Sequence, residues 1–382
     1  MRFRKTLFLL GIIYLGFISL GLPDNVLGVS WEWMHRDFAK PMDYVGFITV
    51  LLTICSAISA AFSGILLGRF RTVTLLVVCG FLTGASIVGY SYAGCFAIIL
   101  LLSIPLGFGQ GAIDTGMNFY VAKHYTSRDM SWLHCCWGIG ATLGPALMTH
   151  SIAVTSEWRR GYLLIGCIQI GLALIFLSTM RCWEGSGEKA VQKAFAGKVR
   201  YDTRFFCAPL VFFLYTGLEA SMGLWSFQFL TLRHGAQAVT AGYAVATYWG
   251  MLTFGRFLIG IFANRLGDIW QIRLSMTGAV LFALGYLFSI NSWMAMICMG
   301  GIGLCFAPFY PAMMHITPNR FDEATAARVI GLQGGFGMLG TAVVPALLGV
   351  VAVRVGFWLL PAFLIPVCLL ILGAEFFLAK KP

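Results

Sequence analysis

Apolar residues run along this chain in long stretches, each closed by a short cluster of polar or charged positions. A stretch of about 20 apolar residues is what an α-helix needs to cross the roughly 30 Å hydrocarbon core of a bilayer. Read that way, the pattern predicts spans over 6–30, 43–68, 72–92, 95–122, 131–152, 160–180, 204–232, 238–263, 270–290, 293–315, 326–350 and 355–379. The longest connection, 181–203 (RCWEGSGEKAVQKAFAGKVRYDT), is polar, basic and glycine-containing. It divides the twelve helices into two sets of six, 1–180 and 204–382. The expected fold class is all-α: a polytopic membrane protein of two six-helix bundles joined by a linker. Arg2, Arg4 and Lys5 precede the first apolar run, as in a signal peptide. That run is too long for one and no small-residue cleavage site follows, so it reads as an uncleaved helix.

Composition agrees: the 382 residues are 59% hydrophobic and 11% charged, against about 25% charged in ordinary soluble domains. Charge adds orientation. Of the 26 Lys and Arg, 19 fall in the termini and the even-to-odd connections and 6 in the opposite ones, with Arg256 inside span eight. Cytoplasmic loops carry the basic excess, so both termini are expected in the cytoplasm. The net charge of +11 fits contact with anionic lipid. It does not imply nucleic acid, since no basic patch interleaves with aromatics on a soluble domain. The 11 Cys are scattered through apolar segments, where a thiol is a small hydrophobe, and no disulfide is expected. No Asn-x-Ser/Thr sequon occurs, which points to a bacterial inner membrane.

The chain also repeats itself. Gly64-Ile-Leu-Leu-Gly68-Arg69 after span two matches Gly260-Ile-Phe-Ala-Asn264-Arg265-Leu266-Gly267 after span eight, at an offset of 196 residues. At an offset of 195, Asp24 falls on Glu219 and Gly28 on Gly223. Leu133-His134-Cys135-Cys136-Trp137-Gly138 with Pro145 beyond matches Leu332-Gln333-Gly334-Gly335-Phe336-Gly337 with Pro345 beyond. Two parallel six-helix repeats are a transporter architecture.

Three carboxylates lie well inside spans: Asp24, Asp114 and Glu219. An ionisable residue at bilayer depth costs at least about 2.5 kcal/mol and marks a functional site by default. Glu375, near the end of the last span, can reach the interface. Helical spacing puts Asp114 and Asn118 on one face. It also makes stripes of Asp24, Leu27, Gly28 and Trp31, of Tyr215, Glu219, Met222 and Ser226, and of His134, Trp137, Gly138 and Ala141. Hydrogen-bonding groups beside aromatic or small residues suit a polar molecule with apolar faces, such as a sugar. The candidate substrate contacts are Asn25, Trp31, Asn118, His134, Trp137, Tyr215, Glu219, Trp225, Trp249, Tyr310 and Gln333. Trp31 could equally be an interfacial anchor. Arg256 is expected near the cytoplasmic end of its span in a structural role, with contact to the substrate as the alternative.

Two motifs invite other chemistry. Gly107-Phe108-Gly109-Gln110-Gly111 imitates a dinucleotide fingerprint, but that fingerprint needs a strand before it, and here it lies within a span. Close helix packing explains it, as it explains Gly138, Gly140 and Gly144, and Gly334, Gly335, Gly337 and Gly340. In His134-Cys135-Cys136, adjacent residues point about 100° apart on a helix, so a shared metal ion is not expected. No cofactor is expected beyond a coupling proton or Na⁺.

The second loop copy, at Gly260, Asn264, Arg265 and Gly267, resembles the gating-loop signature of the major facilitator superfamily. The first copy, with Gly64 and Arg69, departs from it: Gly68 stands where an acid is expected and Arg71 where a glycine is. GLPDNVLG, GFGQGAIDTGMN, SWLHCCWGIGATLGP, FFLYTGLEASMGLW and GLCFAPFYPAMM resemble the fucose–proton symporter group and the sodium-dependent glucose transporter-like proteins. The resemblance implies the major facilitator fold, with substrate at the midplane and an acid in spans one and four for ion coupling, here Asp24 and Asp114. It departs at the fourth-span acid, which is Glu in the fucose protein, and at His134, where an amide is expected.

The expected function is import of a small polar solute, a monosaccharide first, by symport with a proton or, second, sodium. Asp24 with Asn25, or Asp114 with Asn118, would supply oxygens for sodium. Export of an amphiphile or drug by proton antiport is the alternative. An intramembrane enzyme using His134 and Asp114 lacks a nucleophile constellation, so no enzyme activity is expected. The expected partners are a small solute and the bilayer, with the protein a monomer.

Overall fold

The structure, a computed structural model, describes residues 2–24, 26–41, 44–183 and 199–379. The described residues form helices α1 (Arg2–Gly21), α2 (Val26–Asp37), α3 (Val45–Arg69), α4 (Thr72–Tyr92), α5 (Phe96–His124), α6 (Ser127–Thr155) and α7 (Trp158–Thr179). After a short 3₁₀ turn at Met180–Trp183 come α8 (Thr203–His234), α9 (Ala238–Leu266), α10 (Asp268–Leu287), α11 (Ser292–Phe306), α12 (Phe309–Arg320), α13 (Glu323–Val355) and α14 (Leu359–Leu378). Most of the expected linker lies outside the described residues.

Among the described residues, ten helical segments are long and apolar enough to cross a membrane. The other two expected spans are α6 and α10, helices of 29 and 20 residues. Their apolar stretches are interrupted by Asp129, His134 and His150 in α6 and by Asp268, Gln271 and Arg273 in α10.

Two spans are broken, and proline explains both. The first divides into α1 and α2 around Pro23, which has no N–H and crowds the carbonyl four residues before it. The chain turns there, with the Asp24 amide donating to the Gly21 carbonyl at 3.1 Å. The tenth span divides into α11 and α12 at Ala307-Pro308. Pro308 and Pro311 remove the donors that would serve the carbonyls of residues 304 and 307. The seventh span, repeat partner of the first, is a continuous α8, because no proline stands beside Glu219.

The chain forms two compact units. One comprises Met1–Tyr120, Leu133–Lys198 and Glu323–Gly335, the other Val121–Trp132, Val199–Asp322 and Phe336–Pro382. Each thus includes a short piece from the opposite half of the sequence.

Glycines set the helix contacts inside the first unit. A Cβ on Gly140 or Gly144 would meet the backbone carbonyl of Ile18 or Leu22, and one on Gly21 the carbonyl of Trp137. This backbone-to-backbone crossing of α1 and α6 is what small residues permit in a bilayer. The imitation dinucleotide motif does the same work: Gly107 and Gly111 pack on α3 at Leu52 and Ser56, and Gly109 on α4 at Thr83. Because a carbonyl cannot rotate away, Gly140→Leu should cost about 1–3 kcal/mol or more by overpacking. Gly171→Ala, with nothing within 4 Å of the new methyl, should leave Tm unchanged or higher. Thermal unfolding in detergent compares the two.

Candidate functional site

Each unit holds its own buried polar centre. In the first, the break after α1 leaves Asp24 in a turn, ahead of the helix that carries Leu27, Gly28 and Trp31. The expected stripe therefore starts at Leu27, and Asp24 is aimed independently of it. Its Oδ2 accepts a hydrogen bond from Trp137 Nε1 on α6 at 2.9 Å. Asn25 lies outside the described residues. Trp31 is 2% exposed and packs against Phe96 at 6.0 Å between ring centroids, within an apolar cluster.

Asp114 on α5 is close enough to Asp24 for the two carboxyls to interact electrostatically. Asn118, one turn on, donates its Nδ2 to Asp114 Oδ1 at 3.0 Å and to the Asp114 carbonyl at 3.1 Å. A backbone carbonyl only accepts, so this contact fixes the amide with its NH₂ towards Asp114. The Asn118 oxygen is then turned to His134 Nε2, 3.1 Å away, and His134 must donate from that nitrogen. The result is a buried series from His134 through Asn118 to Asp114, with Asn118 wholly enclosed and the edge of Phe17 against the imidazole. Gln333 on α13 is buried in the same unit. Its neighbour Gly334 lies so close that a Cβ there would be 3.3 Å from Thr115 Oγ1 and 3.9 Å from Asp114 Oδ2.

In the second unit, Glu219 on α8 has three partners. Tyr215 Oη is 2.6 Å from its Oε2, the Arg256 guanidinium 3.4 Å from the same oxygen, and Tyr248 donates to the Glu219 carbonyl at 3.0 Å. Arg256 is 4% exposed. Its partner was not foreseen: opposite charges in neighbouring apolar helices pair to escape the low dielectric. Tyr215 also lies 2.8 Å from the carbonyl of Phe306, the last residue before the break between α11 and α12, and stacks on Phe309 at 4.4 Å. One hydroxyl proton faces two oxygens here.

The other candidates have these neighbours. Trp225 Nε1 donates to the Pro345 carbonyl at 2.8 Å. Tyr310 packs edge-on to Phe212 at 4.9 Å, and Trp249 lies over Gly223 and beside Tyr248. Of the expected gating residues, Gly64 is buried and Arg69 and Arg265 are exposed. Gly260 lies under the Trp132 indole. Asn264 Oδ1 accepts from the Arg128 amide at 3.2 Å, capping the start of α6. Glu375 is buried within the protein: it is 1% exposed, with Arg320 donating to both its oxygens at 2.6 and 2.7 Å. Sequence reasoning missed Tyr248 and both ion pairs; for Glu219 and Arg256, an acid and an arginine within different spans were the available signal.

The chain resembles known proteins along its length. It is 23% identical over 303 residues to Bypass of stop codon protein 6 of Saccharomyces cerevisiae, covering 70% of this chain and 61% of the yeast protein, so it spans less than two thirds of that relative. It is 23% identical to human sodium-dependent glucose transporter 1, covering 87% of this chain and 71% of the human one. NiaP of Bacillus subtilis, named a niacin/nicotinamide transporter, is 21% identical over 96% of both chains. The crystal structure of FucP, the E. coli fucose:proton symporter, superposes with a TM-score of 0.79 at 14% identity, covering 97% of this chain and 99% of that one. The family model described as the Major Facilitator Superfamily matches residues 13–300 and 207–382. With its apolar helices, its shared fold and this match, the chain belongs to the Major Facilitator Superfamily as a multi-pass membrane transporter and not an enzyme.

Proposed function

We propose that this transporter imports a monosaccharide together with a proton, by alternating access, in a bacterial inner membrane with both termini cytoplasmic. The observation that carries the reading is the buried series His134–Asn118–Asp114, with Asp24 held beside it by Trp137. Hydrogen-bonding groups and aromatic edges inside apolar helices match the two faces of a sugar, and acids there can carry a proton. The orientation of Asn118 favours a proton over sodium at Asp114. A hard cation needs oxygens, and the amide offers that carboxylate its nitrogen. The names of the human relative and of FucP point to the same substrate class.

A second reading has one observation behind it, the match to NiaP over nearly the whole chain: a small aromatic carboxylate as solute. Purified protein in proteoliposomes, given labelled monosaccharides or nicotinate under separately imposed pH and sodium gradients, separates these readings. Uptake of a monosaccharide driven by the pH gradient alone is expected. Sodium-driven uptake, nicotinate uptake, or release of a loaded amphiphile against a proton gradient would each replace the proposal. Asn118→Ala breaks the series at its centre and should weaken solute binding about tenfold or more, as loss of a buried hydrogen bond to a charged group does. An unchanged Kd by calorimetry would place the solute elsewhere.

A further inference from the structure

Away from these centres, the second unit holds one more histidine with an unusual pair of neighbours. His315 on α12 has Nδ1 2.8 Å from Asp268 Oδ2 and Nε2 3.2 Å from the backbone carbonyl of Tyr125. A neutral imidazole carries one N–H. The carbonyl can only accept, and so can an ionised Asp268 at the start of α10. Both contacts are filled together by the imidazolium alone. The two side chains are 16% and 11% exposed, so water does not substitute freely for either partner.

The place of this pair gives it a consequence. Tyr125 belongs to the connection between α5 and α6, and Val121–Trp132 is the piece of the first half of the sequence that packs with the second unit. The bodies of α5 and α6 continue from it into the first unit. Other contacts hold the same connection: the Arg128 amide to Asn264, Gln271 Nε2 to Ser127 Oγ at 3.2 Å, and Trp132 over Gly260. None of these changes with a proton between neutral pH values. The charged groups that reach His315 are Asp268 from α10 and Asp129 from the start of α6. Arg128 lies 3.5 Å from Asp129, and Arg320, further along α12, is engaged by Glu375.

We propose that His315 is a proton-binding site whose occupation clasps the α5–α6 connection to α10 and α12, and whose deprotonation releases it. With one proton lost, the ring must abandon either Asp268 or the Tyr125 carbonyl, so the clasp is closed at low pH and loosens as pH rises. This device is separate from the solute and from Asp24 and Asp114. It would stand even if the transported molecule were not a sugar.

The test is hydrogen–deuterium exchange of 121–132 in the full-length protein in lipid nanodiscs, at pH about 6 and about 8.5, either side of the usual histidine range. Wild type and His315→Gln are compared at each pH, which cancels the intrinsic pH dependence of exchange. The expected result is about tenfold stronger protection in wild type at the lower pH, of the size of a charged hydrogen bond, and equal protection at the higher pH. Equal protection at both would overturn the proposal. Should His315→Gln fail to fold, Asp268→Asn leaves the imidazole in place and should move the release to lower pH. Nitrogen-15 spectra of wild-type histidines must then show a doubly protonated ring at the lower pH that Asp268→Asn perturbs, and a neutral ring there also overturns it.

Discussion

Asp114→Asn should abolish concentrative uptake while solute exchange down its own gradient continues, and Asp24→Asn should do the same. The replacement is chosen for what it preserves. The new amide oxygen can still accept from Asn118 Nδ2, now 3.0 Å from Asp114 Oδ1, or from Trp137 Nε1, now 2.9 Å from Asp24 Oδ2. Shape and hydrogen bonding survive, and the ability to change charge does not. A carboxyl couples two flows only by changing charge, since the gradient acts on the charge that moves. One charge crossing 100 mV supplies about 2.3 kcal/mol, which corresponds to roughly fifty-fold accumulation. In proteoliposomes with an imposed potential and pH gradient, each variant should fall from about that ratio towards unity, with counterflow retained. If both variants accumulate solute like wild type, neither acid couples. If only one fails, the proton travels on that acid, and the other serves its placement through their mutual repulsion.

How much of this was legible beforehand depends on what a residue's role requires. Lengths were legible, since a run of apolar residues sets a helix by itself, and among the described residues each of the twelve expected spans is largely helical. Asp114 with Asn118 followed from helical spacing. Direction around the helix axis was not legible. A helix in a bilayer is apolar on all sides, so its sequence does not say which face meets a neighbour. That is why the bond from Trp137 to Asp24, 113 residues away, was not foreseen. For the same reason the packing of Trp31 against Phe96 was not foreseen, and Arg256 and Glu375 were placed without their partners. The turn at Pro23 also carried Asp24 out of the stripe that an unbroken helix would have given it.

Arg256→Leu should be among the most destabilising single substitutions in the second unit, and removal of Glu219 in addition should recover most of the loss. The Arg256 and Glu219 side chains are 5% and 15% exposed, with 3.4 Å between guanidinium and carboxylate. Taking away one partner of a buried pair leaves the other charge in a low dielectric and costs about 3–5 kcal/mol. Tyr215 supplies a single proton that it also offers to the Phe306 carbonyl, so it cannot replace a cation. Replacing both partners by apolar groups removes the desolvation cost together with the attraction, and such exchanges are often close to neutral. Thermal unfolding of Arg256→Leu, Glu219→Leu and the double variant forms a cycle whose interaction energy isolates the pair. A strongly positive coupling, with the double variant more stable than either single one, is expected. A double variant as unstable as the sum of its parts would mean that the two groups act separately. The double variant also separates stability from transport: if it folds and still exchanges solute without accumulating it, the pair holds charge for the transport cycle and not for the fold.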